Sequence, residues 1–477
     1  MIDISAFAGA LNDKPVAVFG LGISNHAVVR ALTAAGVVSV AWDDNESVLH
    51  DAAAKGIVLH DLTQEDLSQF ACLVVAPGIM PDHPVVQRAR TAGIEIICDL
   101  EILHRCGHGR WTVGITGTNG KSTTTALIGH ILNHCGVPSV VGGNIGRAAL
   151  DLDMPPENGA FVLEMSSYQL DLCPTFRPDV AVLLNITPDH IDHHGSMENY
   201  IAAKKKIFSD TNRAVIAVDS KLTKSIYKEL KMLKTRRVCA VSTTGMVAEG
   251  IYADKNLLHD RVNEWWGHGG GEILHALKII LNIGAKKKRF ALDAIKTLRG
   301  QHNRQNIAAA WAVARLMNIP STAIYEAAQT YPGLPHRQQL VCEMNGVYWV
   351  NDSKATNADA AGKALGSYKN IYWIVGGRPK DGGLHGLGQF MERVRYAFVI
   401  GEAQERFAPW LERHGVSFDC CDTMDKAVAS ALRRTRGKEG VVLLSPACAS
   451  FDQFRNFEHR GEVFMALVNE IREKNNA

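Results

Sequence analysis

Short apolar, β-branched runs alternate with stretches of helical character along most of this 477-residue chain, at 16–19, 37–41, 73–75, 111–115, 161–163, 180–184, 214–218, 347–350, 371–375, 397–400 and 441–444. A strand that is apolar throughout is buried on both faces, and helices between such strands return each one to its sheet in parallel. The alternation therefore predicts parallel sheets covered by helices. In open sheets of this kind ligands collect beyond the carboxyl ends of the strands, which puts the candidate sites in the polar and glycine-rich turns that follow these runs. At roughly 150 residues per domain the length allows about three. Cys106-Gly107-His108-Gly109-Arg110 and Tyr331-Pro332-Gly333-Leu334-Pro335 read as linkers, giving expected domains at 1–103, 104–333 and 334–477. Residues 220–300 carry weak helical periodicity, and within them Trp265-Trp266-Gly267-His268-Gly269-Gly270-Gly271 and Lys286-Lys287-Lys288-Arg289 read as solvated loops.

The run at 111–115 enters Thr116-Gly117-Thr118-Asn119-Gly120-Lys121-Ser122-Thr123, and a helix is expected over 124–135. Strand, glycine loop and helix make a phosphate cradle. Glycines let backbone N–H groups converge on an anion, the helix start adds its dipole, Lys121 can meet the outer phosphates, and Ser122 can ligate magnesium. The strict G-x-x-x-x-G-K-[ST] pattern needs glycine at 115, where Ile115 stands, so the loop is a variant; the bland alternative is a structural glycine turn. A second turn, Gly20-Leu21-Gly22-Ile23-Ser24-Asn25, follows the first run, with Asp43 and Asp44 at the end of the next. It resembles a dinucleotide fingerprint whose third glycine is replaced by Asn25, and reads either as a nucleotide or pyrophosphate site or as a bare tight turn.

Glu164 ends the run at 161–163 and leads into Met165-Ser166-Ser167-Tyr168-Gln169, while Asn185-Ile186-Thr187-Pro188-Asp189-His190 leaves the next run. Both turns are expected to face the phosphate loop. Glu164 offers the hard oxygen that magnesium prefers, or is a surface carboxylate. His190-Ile191-Asp192-His193-His194 holds an i,i+4 histidine pair without an HExxH pattern, and Pro188 and Gly195 bracket it as a loop. That leaves solvated or capping histidines, a magnesium-linked histidine, or zinc. Lys204-Lys205-Lys206 by itself reads as a solvated face.

Hydrophobic residues at 46%, charged residues at 21% and a net charge of +2 give no field strong enough to indicate nucleic acid. Asp3 stands where a secretory leader needs bases, and no apolar run approaches the roughly 18 residues that span a bilayer, so a cytoplasmic protein without membrane insertion is expected. Ten cysteines without a CxxC pair are expected to be buried reduced thiols.

Taken in order, Thr116 to Ser122, Gly143-Asn144-Ile145-Gly146, Glu164-Met165-Ser166-Ser167, the Asn185 to His190 turn, His302-Asn303-Arg304-Gln305-Asn306 and Asn351-Asp352-Ser353-Lys354-Ala355-Thr356-Asn357 resemble the Mur ligase family. The resemblance covers nearly the whole chain. Asn351 to Asn357 and Leu444-Ser445-Pro446-Ala447-Cys448-Ala449-Ser450-Phe451-Asp452-Gln453-Phe454 are similar in particular to the branch that adds D-glutamate. The resemblance implies three α/β domains: a Rossmann-like N-terminal one for the UDP substrate, a central P-loop-type ATPase sheet, and a Rossmann-like C-terminal one for the amino acid. It implies that Gly22, Ile23, Ser24, Asp43, Asp44 and Asn45 face the uridine nucleotide, and that Asn144, Ser166, Gln169 and His190 contact the muramoyl part. ATP would be held by Gly117, Thr118, Asn119, Gly120, Lys121, Ser122, Thr123, Asn303, Asn306, Arg337 and Asp352. Two magnesium ions would be organised by Ser122, Glu164, His190 and Lys204, the last as a carbamate. Thr356, Lys380, Ser450, Phe451 and Phe457 would surround glutamate, with Arg378 in Gly376-Gly377-Arg378-Pro379-Lys380-Asp381 competing with Lys380 for that role.

The implied reaction is ATP-dependent amide formation between UDP-N-acetylmuramoyl-L-alanine and D-glutamate through an acyl phosphate, by a monomer, in peptidoglycan precursor synthesis and hence in cell-wall biogenesis, cell shape and division. The D configuration comes from the resemblance and not from the residues. Phosphoryl transfer needs positioning and charge neutralisation more than a protein nucleophile, and Lys121, His190 and Lys204 are the catalytic candidates. The base that takes the amine proton stays open, with His190 one candidate. Three rivals remain at this point. A nicotinamide-dependent oxidoreductase built on Gly20 to Asn25 leaves Lys121 and Ser122 unexplained; a nucleotide-gated binding protein has no need of Glu164, His190, Lys204 and Asp352 together; and a sister ligase would add another amino acid.

Overall fold

The computed structural model describes residues 2–233, 235–262, 288–298, 300–380 and 382–476. They form two compact units, Met1–Ala294 with His302–Thr330, and Ile295–Gln301 with Tyr331–Ala477. Each apolar run singled out above overlaps a strand.

The first unit contains two sheets. One is built from β1 (Val16–Phe19), β2 (Ser39–Trp42), β3 (Cys72–Val75) and β4 (Glu95–Ile97) in the order β2-β1-β3-β4, parallel throughout. The order reverses between β1 and β3, so the turn Gly20 to Asn25 opens at the switch point. The other sheet joins β5 (Trp111–Thr116), β6 (Ser139–Gly143), β7 (Ala160–Glu164), β8 (Val180–Leu183), β9 (Arg213–Ala217), β10 (Arg237–Ser242), β11 (Gly250–Asp254), β12 (Leu257–Asp260) and β13 (Lys288–Ala291). Their order is β13-β12-β11-β10-β9-β8-β5-β7-β6, parallel from β6 to β11 and antiparallel at β12 and β13. Strand β5 lies between β7 and β8, with Ile115 paired to Glu164 and Thr116 to Leu183. The carboxyl ends of three strands therefore meet where the phosphate loop begins. Helix Lys121–His134 covers this sheet through Leu127, Ile128, Ile131 and Leu132, all buried. Each such side chain contributes about 1.5–3 kcal/mol relative to exposure.

The second unit is a sheet of β14 (Gln339–Met344), β15 (Val347–Asn351), β16 (Ile371–Gly376), β17 (Val394–Ile400), β18 (Phe418–Asp422) and β19 (Gly440–Leu444), in the order β14-β15-β19-β16-β17-β18. Only β14 runs antiparallel. The turns after β15, β16 and β19 thus lie side by side at one end of the sheet.

Four expectations are corrected. The helix expected over 124–135 begins at Lys121, because Gly120 takes the left-handed conformation that caps it, placing Lys121, Ser122 and Thr123 in the first turn. The histidine segment, expected as a loop, holds the short helix Ile191–His194 between left-handed His190 and Gly195. Lys288 and Arg289 are not loop but open β13, paired with Asp260 and His259; Trp265 to Gly271, Lys286 and Lys287 lie outside the described residues. Among the cysteines, Cys106 and Cys135 are half-buried and Cys420 is exposed, because Cys420 faces outward on the edge strand β18. No helix among the described residues is long and apolar enough to cross a membrane.

Candidate active site

The phosphate loop is held from below by one asparagine. The N–H of Thr118 donates to the Asn185 carbonyl (2.8 Å) and that of Asn119 to Asn185 Oδ1 (2.8 Å), while Asn185 Nδ2 donates to the Asn119 carbonyl (3.0 Å). The same Nδ2 reaches Gln305 Oε1 (2.9 Å), and Gln305 Nε2 donates to Asp219 Oδ2 (3.0 Å) at the end of β9. Neither Gln305 nor Asp219 was singled out by residue type. The signal available for Gln305 was its place between Asn303 and Asn306 on helix Gln301–Leu316. Gly120 has φ +85, and a Cβ on it would overlap Asn306 Oδ1, which accepts from Thr124 Oγ1 (3.2 Å). Asn306 Nδ2 in turn donates to Asn303 Oδ1 (2.9 Å). Glycine here lets backbone and helix close together, which brings Asn303 and Asn306 against the loop.

Two lysines converge on one carbonyl. Lys121 Nζ donates to the carbonyls of Gly117 and Thr118 (3.0 Å each), and Lys204 Nζ donates to the same Gly117 carbonyl (3.0 Å). Lys204 is 2% exposed. Burial, then the Lys121 charge, bring its ammonium down to about 7. The helix Met197–Lys205 separates the three lysines of the run by its phase: Lys204 turns inward over the Tyr200 ring, Lys205 pairs with Glu229 (2.8 Å) and Lys206 with Asp171 (2.8 Å).

Glu164 is buried at 2% exposure, which removes the surface-carboxylate reading. Asn144 Nδ2 donates to its Oε1 (3.0 Å), while Oε2 has no hydrogen-bond partner among the described residues. A buried carboxylate oxygen without a donor is costly unless a cation completes it, and hard oxygen donors from Glu164 and Ser122 beside a phosphate loop fit magnesium. His190 is half-exposed, with Nε2 3.4 Å from Asp189 Oδ2, and its backbone is held at φ +54. Backbone strain of this kind gathers at functional sites. Tyr168 lies against His193 and His190, at ring distances of 3.9 and 5.0 Å. His194 is buried, with Nε2 2.9 Å from Ser167 Oγ, which ties the short histidine helix to the next turn. Ser166 and Gln169 form a capping box, so the Gln169 side-chain oxygen is taken up by the Ser166 N–H and hydroxyl. Among the described residues no group of three or more His, Cys, Asp or Glu is arranged to hold a metal.

At the first sheet, Asp43 holds the glycine turn: Leu21 N–H donates to its Oδ2 (2.7 Å) and Asn45 N–H to its Oδ1 (2.9 Å). Asn25 Nδ2 donates to the carbonyls of Phe19 and Gly20 (3.0 and 2.8 Å), so the residue standing for a third glycine locks the turn. Asn45 caps helix Glu46–Ala54, Asp44 meets His83 (2.9 Å), Gly22 is exposed, Ile23 is 78% exposed, and Ser24 bonds to buried Asp99.

In the second unit, Asp352 is buried at the end of β15 and accepts from Gln338 N–H (3.1 Å) and Ser445 Oγ (2.7 Å). Burial pushes its carboxyl up to about 7 against the Ser445 and Gln338 hydrogen bonds and the nearby Arg337 charge. Thr356 lies in the turn after β15, before Asn357 caps helix Ala358–Ser367. Ser450 is buried and Phe451 exposed after β19, and Phe457 begins helix Phe457–Asn476. Arg378 pairs with Glu402 (3.1 Å), whereas the Lys380 ammonium has no partner among the described residues.

The family models described as "Mur ligase MurD-like, N-terminal domain", "Mur ligase middle domain" and "Mur ligase, glutamate ligase domain" match residues 14–98, 115–314 and 336–448. A UDP-N-acetylmuramoylalanine--D-glutamate ligase of Paramagnetospirillum magneticum is 43% identical, covering 96% of this chain and 97% of that protein. One of Rhizobium johnstonii is also 43% identical, covering 96% and 95%. The crystal structure of UDP-N-acetylmuramate-alanine ligase MurC from Thermotoga maritima shares the fold, with a TM-score of 0.56 at 16% identity over 96% of this chain and 99% of that one. With full-length relatives at that identity, and with a phosphate loop, a glycine turn and a third sheet in the matching order, the chain belongs to the Mur ligase family, with its three-domain α/β fold.

Proposed function

We propose that the chain joins UDP-N-acetylmuramoyl-L-alanine to D-glutamate, converting ATP to ADP and phosphate, in peptidoglycan precursor synthesis. Full-length relatives named for that reaction carry the reading; the phosphate loop and its two converging lysines support it. The family is ATP- and magnesium-dependent. The alanyl carboxylate oxygen bonds to the γ-phosphorus as the bond to the ADP oxygen breaks, giving an acyl phosphate. The glutamate amine then attacks the acyl carbon, phosphate leaves and the amine gives up a proton. Backbone N–H groups at Gly117 and from Gly120 to Thr123 bind the phosphates while those of Thr118 and Asn119 stay with Asn185, Lys121 offers its ammonium to the charge that moves between them, and Asn303 and Asn306 keep the loop shaped for ATP. Ser122, Glu164 and His190 would hold magnesium, which supplies charge neutralisation at the phosphate oxygens when bound.

Lys204 takes the part of a carbamate that ligates a second ion. At about 7 its amine is neutral in a large fraction of molecules near neutral pH, so it can add to carbon dioxide with loss of a proton. That turns an enclosed cation beside Lys121 into an anionic oxygen donor. Gly22, Ile23, Ser24, Asp43, Asp44 and Asn45 serve the uridine nucleotide; Asn144, Ser166, Gln169 and His190 serve the muramoyl part; Arg337 and Asp352 complete the ATP set. Thr356, Lys380, Ser450, Phe451 and Phe457 receive glutamate, with Lys380 favoured because Arg378 is committed to Glu402. Domains bounded at 1–103, 104–333 and 334–477, acting as a cytoplasmic monomer, complete the reading.

The test supplies ATP, magnesium and UDP-N-acetylmuramoyl-L-alanine with one amino acid at a time and follows phosphate release. D-glutamate is expected to release it; release with L-lysine or diaminopimelate alone overturns the assignment.

A further inference from the structure

The second unit buries an arginine that has no counter-ion among the described residues. Arg460, in the first turn of helix Phe457–Asn476, is 0% exposed. Its Nε donates to Ser353 Oγ (3.0 Å), Nη2 to the carbonyls of Ser353 (2.9 Å) and Cys448 (3.1 Å), and Nη1 to the carbonyl of Ala449 (3.2 Å). Every acceptor is neutral, and among the described residues no carboxylate lies within ion-pair distance. Asp452 acts on the guanidinium only from further away, and its Oδ2 accepts from the Glu402 N–H (3.2 Å). A charge taken out of water without a partner is destabilising, and proteins keep one chiefly where it serves a ligand.

The four bonds tie two loops directly and reach a third through Ala449. Ser353 opens the turn that carries Thr356, Cys448 and Ala449 lead into Ser450 and Phe451, and Ala449 exchanges both backbone bonds with Arg378 (3.0 and 3.1 Å). Gly377, at φ +127, leaves room for the guanidinium: a Cβ there would stand 3.1 Å from Nη1 and would overlap the Ala449 carbonyl.

Resting on the amino-acid site proposed above, we propose that Arg460 is a positioning residue whose charge, without an ion-pair partner among the described residues and fixed beneath the Thr356, Arg378 and Ser450 loops, selects an amino acid with an anionic side chain. The attacking form of glutamate has a neutral amine and two carboxylates, so it carries two negative charges where glutamine carries one. A fixed positive charge favours the former through the loops without touching it. At a protein-like effective dielectric, one charge acting over about 10 Å is worth roughly a tenfold preference.

The full chain, Arg460→Gln and Arg460→Lys are compared for kcat/KM with D-glutamate and with its neutral isostere D-glutamine, alongside the KM for ATP and the melting temperature. Arg460→Gln is expected to lower the D-glutamate over D-glutamine ratio roughly tenfold while the KM for ATP stays within about twofold. Arg460→Lys, which keeps the charge and loses the planar fork, is expected to lose turnover and keep the ratio within about twofold. A folded Arg460→Gln with an unchanged ratio overturns the proposal. If that variant does not fold, Arg460→Lys decides: a collapsed ratio overturns the proposal and a retained one supports it. A wild-type chain that releases no phosphate with D-glutamate brings down the amino-acid assignment itself, a failure visible before any variant is made.

Discussion

Replacing Gly120 by alanine strikes the phosphate loop where backbone and neighbouring helix both exclude a side chain. Gly120 caps its helix at φ +85, and an L-residue held left-handed costs about 1–2 kcal/mol. The new Cβ would overlap Asn306 Oδ1, so the amide must move and give up its bonds with Thr124 Oγ1 and Asn303 Oδ1, each worth about 1 kcal/mol net. Together these come to about 3–4 kcal/mol for keeping the loop in its present shape. The loop is short and partly exposed, so the chain escapes most of that cost by letting it distort, and the loss falls on phosphate binding. At about 1.4 kcal/mol per decade, kcat/KM for ATP should fall about a hundredfold or more. Initial rates of phosphate release against ATP concentration, with both other substrates saturating, measure it, and a thermal melt shows whether the fold survives, with a shift of no more than a few degrees expected. A Gly120→Ala enzyme within about threefold of the wild type would refute the reasoning, because neither the left-handed cap nor the Asn306 contact would then matter to ATP.

Three further outcomes are expected. Lys204→Ala should lose about a hundredfold or more in turnover and recover part of it with added short carboxylates, whereas Lys205→Ala and Lys206→Ala remove surface pairs worth at most about 1 kcal/mol and should stay near wild type; equal losses in all three would contradict the helix-phase argument. Asp43→Ala releases the N–H groups of Leu21 and Asn45 and should raise the KM for the UDP substrate about tenfold with little change in that for ATP, an expectation that parallel rises in both would defeat. Asp352 has its carboxyl raised from 3.8 to about 7, so between those values the folded state keeps a proton that the unfolded chain has lost, and stability falls as pH rises through that window. Asp352→Asn should remove this fall, and melting curves from pH 4 to 7 with the same slope as the wild type would show that the buried carboxyl is not its source.

What could be read in advance was what a short stretch of chain decides. The phosphate loop announces itself because strand, glycine, Lys121 and Ser122 are neighbours in sequence, and fully apolar strands such as β1 and β16 stand out because both of their faces are buried. Strands buried on one side gave weaker signals: β13 alternates half-buried with exposed positions, and β14 mixes Gln339 and Glu343 with apolar residues. Strand β6 is half-buried along most of its length and ends in two glycines, so it offers no clear apolar run. Roles that depend on distant partners were invisible. Gln305 matters through Asn185 and Asp219, which are 120 and 86 residues away, and the run Lys204 to Lys206 looks uniform until a helix sends one ammonium inward and two outward. Arg460 looks like an ordinary charge on a long C-terminal helix until its four neutral acceptors are counted.

The cysteine distribution has a practical use. Burial pushes the thiols of Cys72 and Cys448 up to about 12 and those of Cys106 and Cys421 to about 11, which leaves almost no thiolate on them near neutral pH, and Cys420 is the one exposed thiol of the ten. Alkylation depends on the thiolate and on access. A maleimide dye at neutral pH should therefore mark this chain first at Cys420, on the edge strand β18 of the second unit, with half-buried Cys106 and Cys135 reacting more slowly because burial raises both thiols, giving a fluorescent reporter on the unit proposed to receive the amino acid.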